Sequence, residues 1–197
     1  MMSKNPTLIY VGSLGAERDI DFILKLFSLV SNKDSKFRFK IVGVVEKDSS
    51  RSNIISKIES YGIRERTKIF FNINPRQVPD HIRSSDIGIS PIKPIPKYLV
   101  STPTKMIEYL TFGLPVVCNN EIFDQRKIIE ESGAGLSVDY SVDSFCKSVI
   151  NIGNNKDKYS RMSKKGKEWL FANRTYEKLL NPLLEHYRFA TEGKVKL

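Results

Sequence analysis

Cysteine is nearly absent. Cys118 and Cys146 are the only two among 197 residues, and no Cys-x-x-Cys pair occurs. Neither a disulfide framework nor a thiolate metal site can organise the chain, and both thiols read as buried and free. Histidine is as scarce: His81 and His186 stand alone on predicted helices, with no second ligand or nucleophile spaced to work with them, and neither is assigned a role. No uninterrupted apolar stretch approaches the roughly 18 to 20 residues that a membrane-spanning helix needs, and Met1–Pro6 lacks the apolar core of a signal peptide. The cytoplasm is the expected compartment.

Acidic residues are the minority charge, 22 Asp and Glu against 32 Lys and Arg, for a formal net charge of +10. Many cations fall late in the chain, among them Lys164, Lys165, Lys167, Lys194 and Lys196. A solvated helix face accounts for them; attraction to a phosphorylated substrate or to the inner face of a membrane is the second reading. There is no nucleic-acid-binding motif and no basic strand interleaved with aromatics, so nucleic acid is not an expected partner. With 40% hydrophobic and 27% charged residues the chain has the composition of a folded domain, and its length suits one such domain.

Short apolar runs alternate with amphipathic segments from residue 7 onward. The runs Thr7–Val11, Phe39–Val44, Lys68–Phe71, Ile87–Ser90 and Pro115–Cys118 read as buried strands, with a weaker sixth at Leu136–Val138. Ile20, Ile23, Leu24, Phe27 and Val30 recur at helical spacing; Ile54, Ile55 and Ile58 mark a second helix, Val78–Arg83 a short third, and Met106–Leu110 a fourth ending at Gly113. This order predicts β-α-β units with right-handed crossovers, an α/β fold built on a doubly wound parallel sheet. After residue 140 helices take over: Ser141–Ile152, Lys156–Phe171 and Tyr176–Phe189, the last with Tyr176, Leu179, Leu180, Leu183, Leu184 and Tyr187 on one stripe. Residues 1–6 are expected to be flexible.

In an open parallel sheet, ligands bind beyond the carboxyl ends of the strands, where helix N-termini offer amides and partial positive charge. Two segments suit that place. Val11-Gly12-Ser13-Leu14-Gly15 leaves the first strand with two glycines, and Arg18 follows at the first helix, able to meet a phosphate with two parallel hydrogen bonds. The spacing is Gly-x-x-Gly, not the dinucleotide Gly-x-Gly-x-x-Gly. In Ser101–Tyr109, Thr102 is the expected N-cap and Pro103 the first helical residue, which would leave the amides of Thr104 and Lys105 to face an anion. Glu108, three and four residues on, lies on the same helix face roughly 4.5 to 6 Å further along the axis, about the span from a diphosphate to its ribose. Its carboxylate can accept from both ribose hydroxyls. The competing use of Glu108 is a surface ion pair with Lys105.

The stretch Ser101–Val117, S-T-P-T-K-M-I-E-Y-L-T-F-G-L-P-V-V, resembles the most characteristic segment of the retaining GT-B glycosyltransferases with which many bacteria build cell-surface polysaccharides, glycosyltransferase family 4 and its relatives. The opening Y-V-G-S-L-G, the segment Ile69–Ile92 with its S-S-D-I-G-I-S-P end, the Gly133-Ala134-Gly135-Leu136 turn and the C-terminal helices extend the resemblance over nearly the whole chain, in the order of that family's C-terminal, Rossmann-like donor domain. The resemblance implies a nucleoside-diphosphate sugar as substrate, no cofactor and no metal. It implies a polysaccharide or lipopolysaccharide-like acceptor held mainly by an N-terminal domain lying in the same full-length chain or a separate subunit. It assigns the ribose to Glu108 and the diphosphate to Arg18 and the amides of Thr104 and Lys105; with Gly12, Ser13 and Gly15 of the first turn these are the candidate donor-binding residues, and Arg18 and Lys105 are the candidates for stabilising the leaving group. Two positions depart from the pattern: Ser13 stands where an Arg is frequent, and Val100 where a second Glu contacts the donor sugar. The competing functions are half of a nucleotide-sugar 2-epimerase, whose elimination chemistry needs a cleft histidine, and a non-catalytic module that keeps the fold.

Overall fold

The computed structural model describes residues 2–15, 18–45 and 48–191. Six strands form one sheet: β1 (Thr7–Ser13), β2 (Arg38–Val44), β3 (Thr67–Phe71), β4 (Ile87–Ser90), β5 (Val116–Asn119) and β6 (Gly135–Val138). Their order is β3-β2-β1-β4-β5-β6 and every pairing is parallel. All six apolar runs are strands, each with its ends within two residues of the expected ones.

Both faces of the sheet are covered, which is why the strand sequences are apolar without interruption instead of alternating. Leu8 and Tyr10 of β1 point into one cluster with Phe39, Ile41 and Ile87, while Ile9 and Val11 point into the other with Val42, Val116 and Cys118. The first face is covered by α1 (Ile20–Lys33), α2 (Asp48–Ser60) and α7 (Val142–Gly153). The second is covered by α3 (Val78–Arg83), α5 (Thr104–Thr111) and α6 (Phe123–Ser132). A four-residue α4 (Pro96–Leu99) interrupts the loop between β4 and α5. The expected stripe of α1 is buried in full, and Asp19 caps that helix from a left-handed backbone, φ 47°, its carboxylate accepting from the Phe22 amide at 3.2 Å. Helix α6 escaped the sequence pattern because two of its four buried positions are Gln125 and Ser132, so its apolar stripe reduces to Ile128 and Ile129.

Residues 2–6 correct an expectation. Instead of a flexible arm they form a pinned entry: Met2 is buried in the first cluster, and Asp86, at the foot of β4, holds the segment. One Asp86 oxygen accepts from the Ser3 amide at 2.9 Å; the other accepts from the Ser3 hydroxyl and the Thr7 amide, both at 2.8 Å. A buried carboxylate that accepts three hydrogen bonds is a strong tether.

Helix α8 (Lys156–Asn173) closes both clusters, with Tyr159 and Met162 in the first and Leu170 in the second. Among the described residues, none of helix α9 (Tyr176–Thr191) belongs to either cluster: Tyr176, Leu180, Leu183, Leu184 and Tyr187 are all exposed, as are Leu99 and Val100 at the end of α4. The side chain of Leu179, and Lys194 and Lys196, lie outside the described residues. Among the described residues no helix is long and apolar enough to cross a membrane. Cys118 and Cys146 are both buried and free, and burial pushes the Cys118 thiol up to about 12.

Replacing Asp86 by Ala removes the acceptor of two backbone donors, while the Ser3 hydroxyl keeps the Asn5 carbonyl at 2.7 Å, and is expected to cost about 2 to 3 kcal/mol. Urea denaturation measures that loss, and hydrogen exchange should show the Ser3 and Thr7 amides losing protection first.

Candidate functional site

The sheet reverses its winding between β1 and β4. β1 follows β2 over seven residue pairs but meets β4 at only two, Leu8 with Ile87 and Ile9 with Gly88. Beyond Ile9 the strands part, and helices leave them on opposite faces. The crevice left at such a switch point is where open α/β sheets take ligands.

One side chain holds the crevice in shape. Past Ile9 the Val11 amide has no β4 carbonyl to reach, and it donates instead to the Tyr109 hydroxyl at 2.8 Å. Tyr109 belongs to α5 and is fully buried. Its ring lies directly on Gly88 of β4, where a Cβ would stand 2.4 Å from the ring, so glycine is required for this approach. Burial pushes the Tyr109 phenol well above its ordinary value, the bond from Val11 pulling the other way. Helix α5 is thereby seated across β4 and tied to the end of β1.

A cavity of about 420 Å³ opens there, walled by Tyr10–Ser13 and Arg18 from the first turn, Ile89–Ile92 from the end of β4, and Ser101–Lys105 from the start of α5. Gly12, Ser13, Arg18, Thr104 and Lys105 are thus brought together as expected, with two cations, Arg18 and Lys105, among them. Gly15 and Glu108 are not in the wall. Gly15 builds the turn instead, its carbonyl accepting from the Arg18 amide at 3.0 Å.

The start of α5 differs from the expected cap. Pro103, not Thr102, is the N-cap, and the helix begins at Thr104. With φ −83° and ψ 78°, Pro103 sits in an inverse γ-turn, and the Thr104 amide donates to the Thr102 carbonyl at 3.0 Å. That amide is therefore spent; the Lys105 amide makes no hydrogen bond among the described residues. Glu108 takes the surface pairing: its Oε1 accepts from the Lys105 ammonium at 2.7 Å, with both side chains partly exposed. Its second oxygen has no partner among the described residues.

Sequence reading missed four further parts. Tyr10 lines the cavity and its hydroxyl donates to the Ser13 carbonyl at 3.1 Å, burial pushing the phenol up to about 12 while Arg18 pulls it down. Tyr98 of α4 lies under the Arg18 guanidinium, 4.7 Å from ring centre to carbon. Asn119 is fully buried and grips Ile92 through both amide atoms, accepting from its N–H at 2.8 Å and donating to its carbonyl at 3.0 Å, which fixes the chain as it leaves β4. Asn72, left-handed at φ 51°, grips Val45 in the same way, both bonds 2.9 Å. A tyrosine in a strand or a four-residue helix, and an asparagine at or just past a strand end, carry no sequence signal for these contacts.

Residues 2–169 match the family model described as glycosyl transferases group 1. The chain belongs to that family. An uncharacterised glycosyltransferase of Haemophilus influenzae is 24% identical over 165 residues, which are 83% of this chain and 44% of that protein. The chain thus spans less than half the length of this curated relative. Among solved structures, S. aureus TarM, crystallised as a point mutant with fondaparinux, α-GlcNAc-glycerol and UDP, superposes with a TM-score of 0.78 at 16% identity, over 94% of this chain and 36% of TarM. The C-terminal domain of the group 1 protein LpcC from Francisella tularensis superposes at 0.73 with 11% identity, over 89% of each chain. These likenesses establish the fold, a Rossmann-like half of the GT-B arrangement.

Tyr109→Phe keeps the ring and removes the acceptor for a buried amide, at an expected cost of about 1 to 2 kcal/mol near neutral pH. The raised phenol gives a second readout. Above about pH 10 an unfolded tyrosine loses its proton while the folded one keeps it, so the parent loses stability as pH rises beyond that point and the Phe variant loses less. Urea midpoints of both proteins, measured near neutral pH and again above the ordinary phenol range, check both signs.

Proposed function

We infer that this chain is the donor half of a retaining glycosyltransferase. Its switch-point cavity takes the diphosphate of a nucleoside-diphosphate sugar, and the hexosyl group is passed to a polysaccharide or lipopolysaccharide-like acceptor. The observation that carries the reading is a cationic cavity at the carboxyl ends of β1 and β4, in a chain of the glycosyl transferases group 1 family. UDP is the first nucleotide to test, because it is the one crystallised with TarM. WaaG, described as acting in lipopolysaccharide biosynthesis, superposes at a TM-score of 0.71 and supports the acceptor class.

Breaking the bond between the sugar C1 and the diphosphate oxygen leaves the electron pair, and a growing negative charge, on the departing diphosphate. Donors aimed at that oxygen stabilise the transition state more than the ground state. Arg18, the Lys105 amide and the Lys105 ammonium take that role, so the protein's own cations supply the positive charge and no metal is called for. Glu108 accepts from the ribose hydroxyls through the oxygen that Lys105 leaves open. The acceptor and any base acting on it belong to an N-terminal domain, in the same full-length protein or a separate subunit, and the exposed stripe of α9 is the surface that meets it. We take the reaction to be cytoplasmic; Lys164, Lys165 and Lys167 are exposed on α8, and their charge suits an anionic membrane face.

A panel of UDP, GDP, ADP and CDP in thermal melts should raise Tm with at least one nucleotide, since a ligand at about 100 times its Kd adds about 2.7 kcal/mol to the folded state. No rise with any member would turn the reading to a non-catalytic module. For the nucleotide that binds, Glu108→Ala is expected to weaken affinity by about 1.5 to 3 kcal/mol while leaving pyrophosphate affinity unchanged or slightly improved, because Lys105 is released toward the phosphates. Calorimetric titration of both ligands decides it; an equal loss for both would move Glu108 from the ribose to the phosphates.

A further inference from the structure

Arg18 differs from the other cavity cation in what holds it. Lys105 is partly neutralised by Glu108, whereas Arg18 has no carboxylate partner among the described residues and lies on the face of Tyr98. Tyr98 comes from a different part of the chain. It belongs to α4, inside the long connection between β4 and α5, and it is not itself in the cavity wall. The stack therefore bridges the first turn and that connection beside the cavity.

The connection is anchored at both of its ends. Ile92 is gripped by Asn119, and Pro103 begins α5, which Tyr109 holds down. Between them Lys93, Pro96, Lys97, Leu99 and Val100 are exposed, and Tyr98 is half-buried. Local turns hold the segment together, with the Tyr98 amide donating to the Ile95 carbonyl at 2.8 Å and the Ser101 amide donating to the Tyr98 carbonyl at 3.0 Å. A second cation, Lys97, stands 4.9 Å from the same ring centre.

A ring under a guanidinium restrains its plane without using its in-plane N–H groups, which stay available for an anion. An unrestrained arginine has many rotamers, and fixing one on ligand binding costs affinity. We propose that Tyr98 is a positioning residue for the diphosphate, holding the Arg18 guanidinium face-on so that its free edge is presented to the cavity before the ligand arrives. The inference rests on the donor-site reading. It also explains why α4 is there: the connection between β4 and α5 supplies the platform on which the phosphate-binding cation is laid.

The test is a double-mutant cycle read with pyrophosphate, which needs no knowledge of the base, and repeated with UDP. Tyr98→Leu keeps apolar bulk and removes the aromatic face; Tyr98→Phe keeps the face. Calorimetry should show pyrophosphate affinity falling about 2- to 10-fold in Tyr98→Leu, the range expected for one arginine left to be ordered on binding. Tyr98→Phe should bind within about twofold of the parent, since the face that restrains the guanidinium is unchanged. In an Arg18→Ala background, Tyr98→Leu should bring no further loss. In the ligand-free protein the Arg18 Nε–H resonance should carry a ring-current shift that Tyr98→Leu abolishes and Tyr98→Phe retains. Parent-like binding by Tyr98→Leu, or an equal loss with and without Arg18, overturns the proposal and leaves the donor site standing. A parent that binds neither pyrophosphate nor any nucleoside diphosphate, its ring-current shift intact, overturns the donor-site reading and reduces the stack to a structural contact.

Discussion

The hydroxyl of Tyr109 on the amide of Val11 is the contact around which the working end of this domain is arranged. A parallel sheet that reverses its winding must let two neighbouring strands diverge, and the first backbone donor past the divergence then has no strand partner. Here that donor is satisfied by a side chain from the helix that walls the cavity. One hydrogen bond both closes the ladder of β1 and sets the distance between the glycine turn and the start of α5. Gly88 makes it possible, because any side chain there would lift the ring from the sheet and take the hydroxyl out of reach.

The electrostatics of the cavity follow from how its cations are held. Lys105 and Glu108 form an ion pair that is partly exposed and so contributes little to stability. Such a pair is easily opened, and opening it frees a carboxylate oxygen and an ammonium beside the cavity together. Arg18 is held by a neutral aromatic face, which leaves its full charge in the cavity. The two cations thus differ in how they are held, one by a carboxylate and the other by an aromatic face.

Nearly all the sheet was legible in the sequence because burial on both faces makes the strands continuous apolar runs, and because the crossover helices carry their stripes at the right spacing. Helix α6 was not legible, since Gln125 and Ser132 occupy buried positions and break the stripe. In the candidate site, Gly12, Ser13, Arg18, Thr104 and Lys105 could be read because small, cationic and N-terminal helical residues have few other reasons to follow strands in this order. Tyr10, Tyr98, Tyr109 and Asn119 could not, because each acts through a contact that no sequence pattern announces. The cap at Pro103 was misplaced by one residue for a backbone reason: a proline that suits the first helical position also suits an inverse γ-turn, and only the ψ angle separates them.

Asn72 and Asn119 grip Val45 and Ile92 with side-chain amides that copy the hydrogen bonds of a strand. Each rung closes the sheet just before a loop begins, so the backbone groups at the loop's edge are satisfied without help from the loop itself. A domain organised in this way can exchange, lengthen or shorten the loops that meet its substrates while its core remains the same. Diversity in what is recognised is thereby separated from the requirement to fold, and two asparagines mark the boundary.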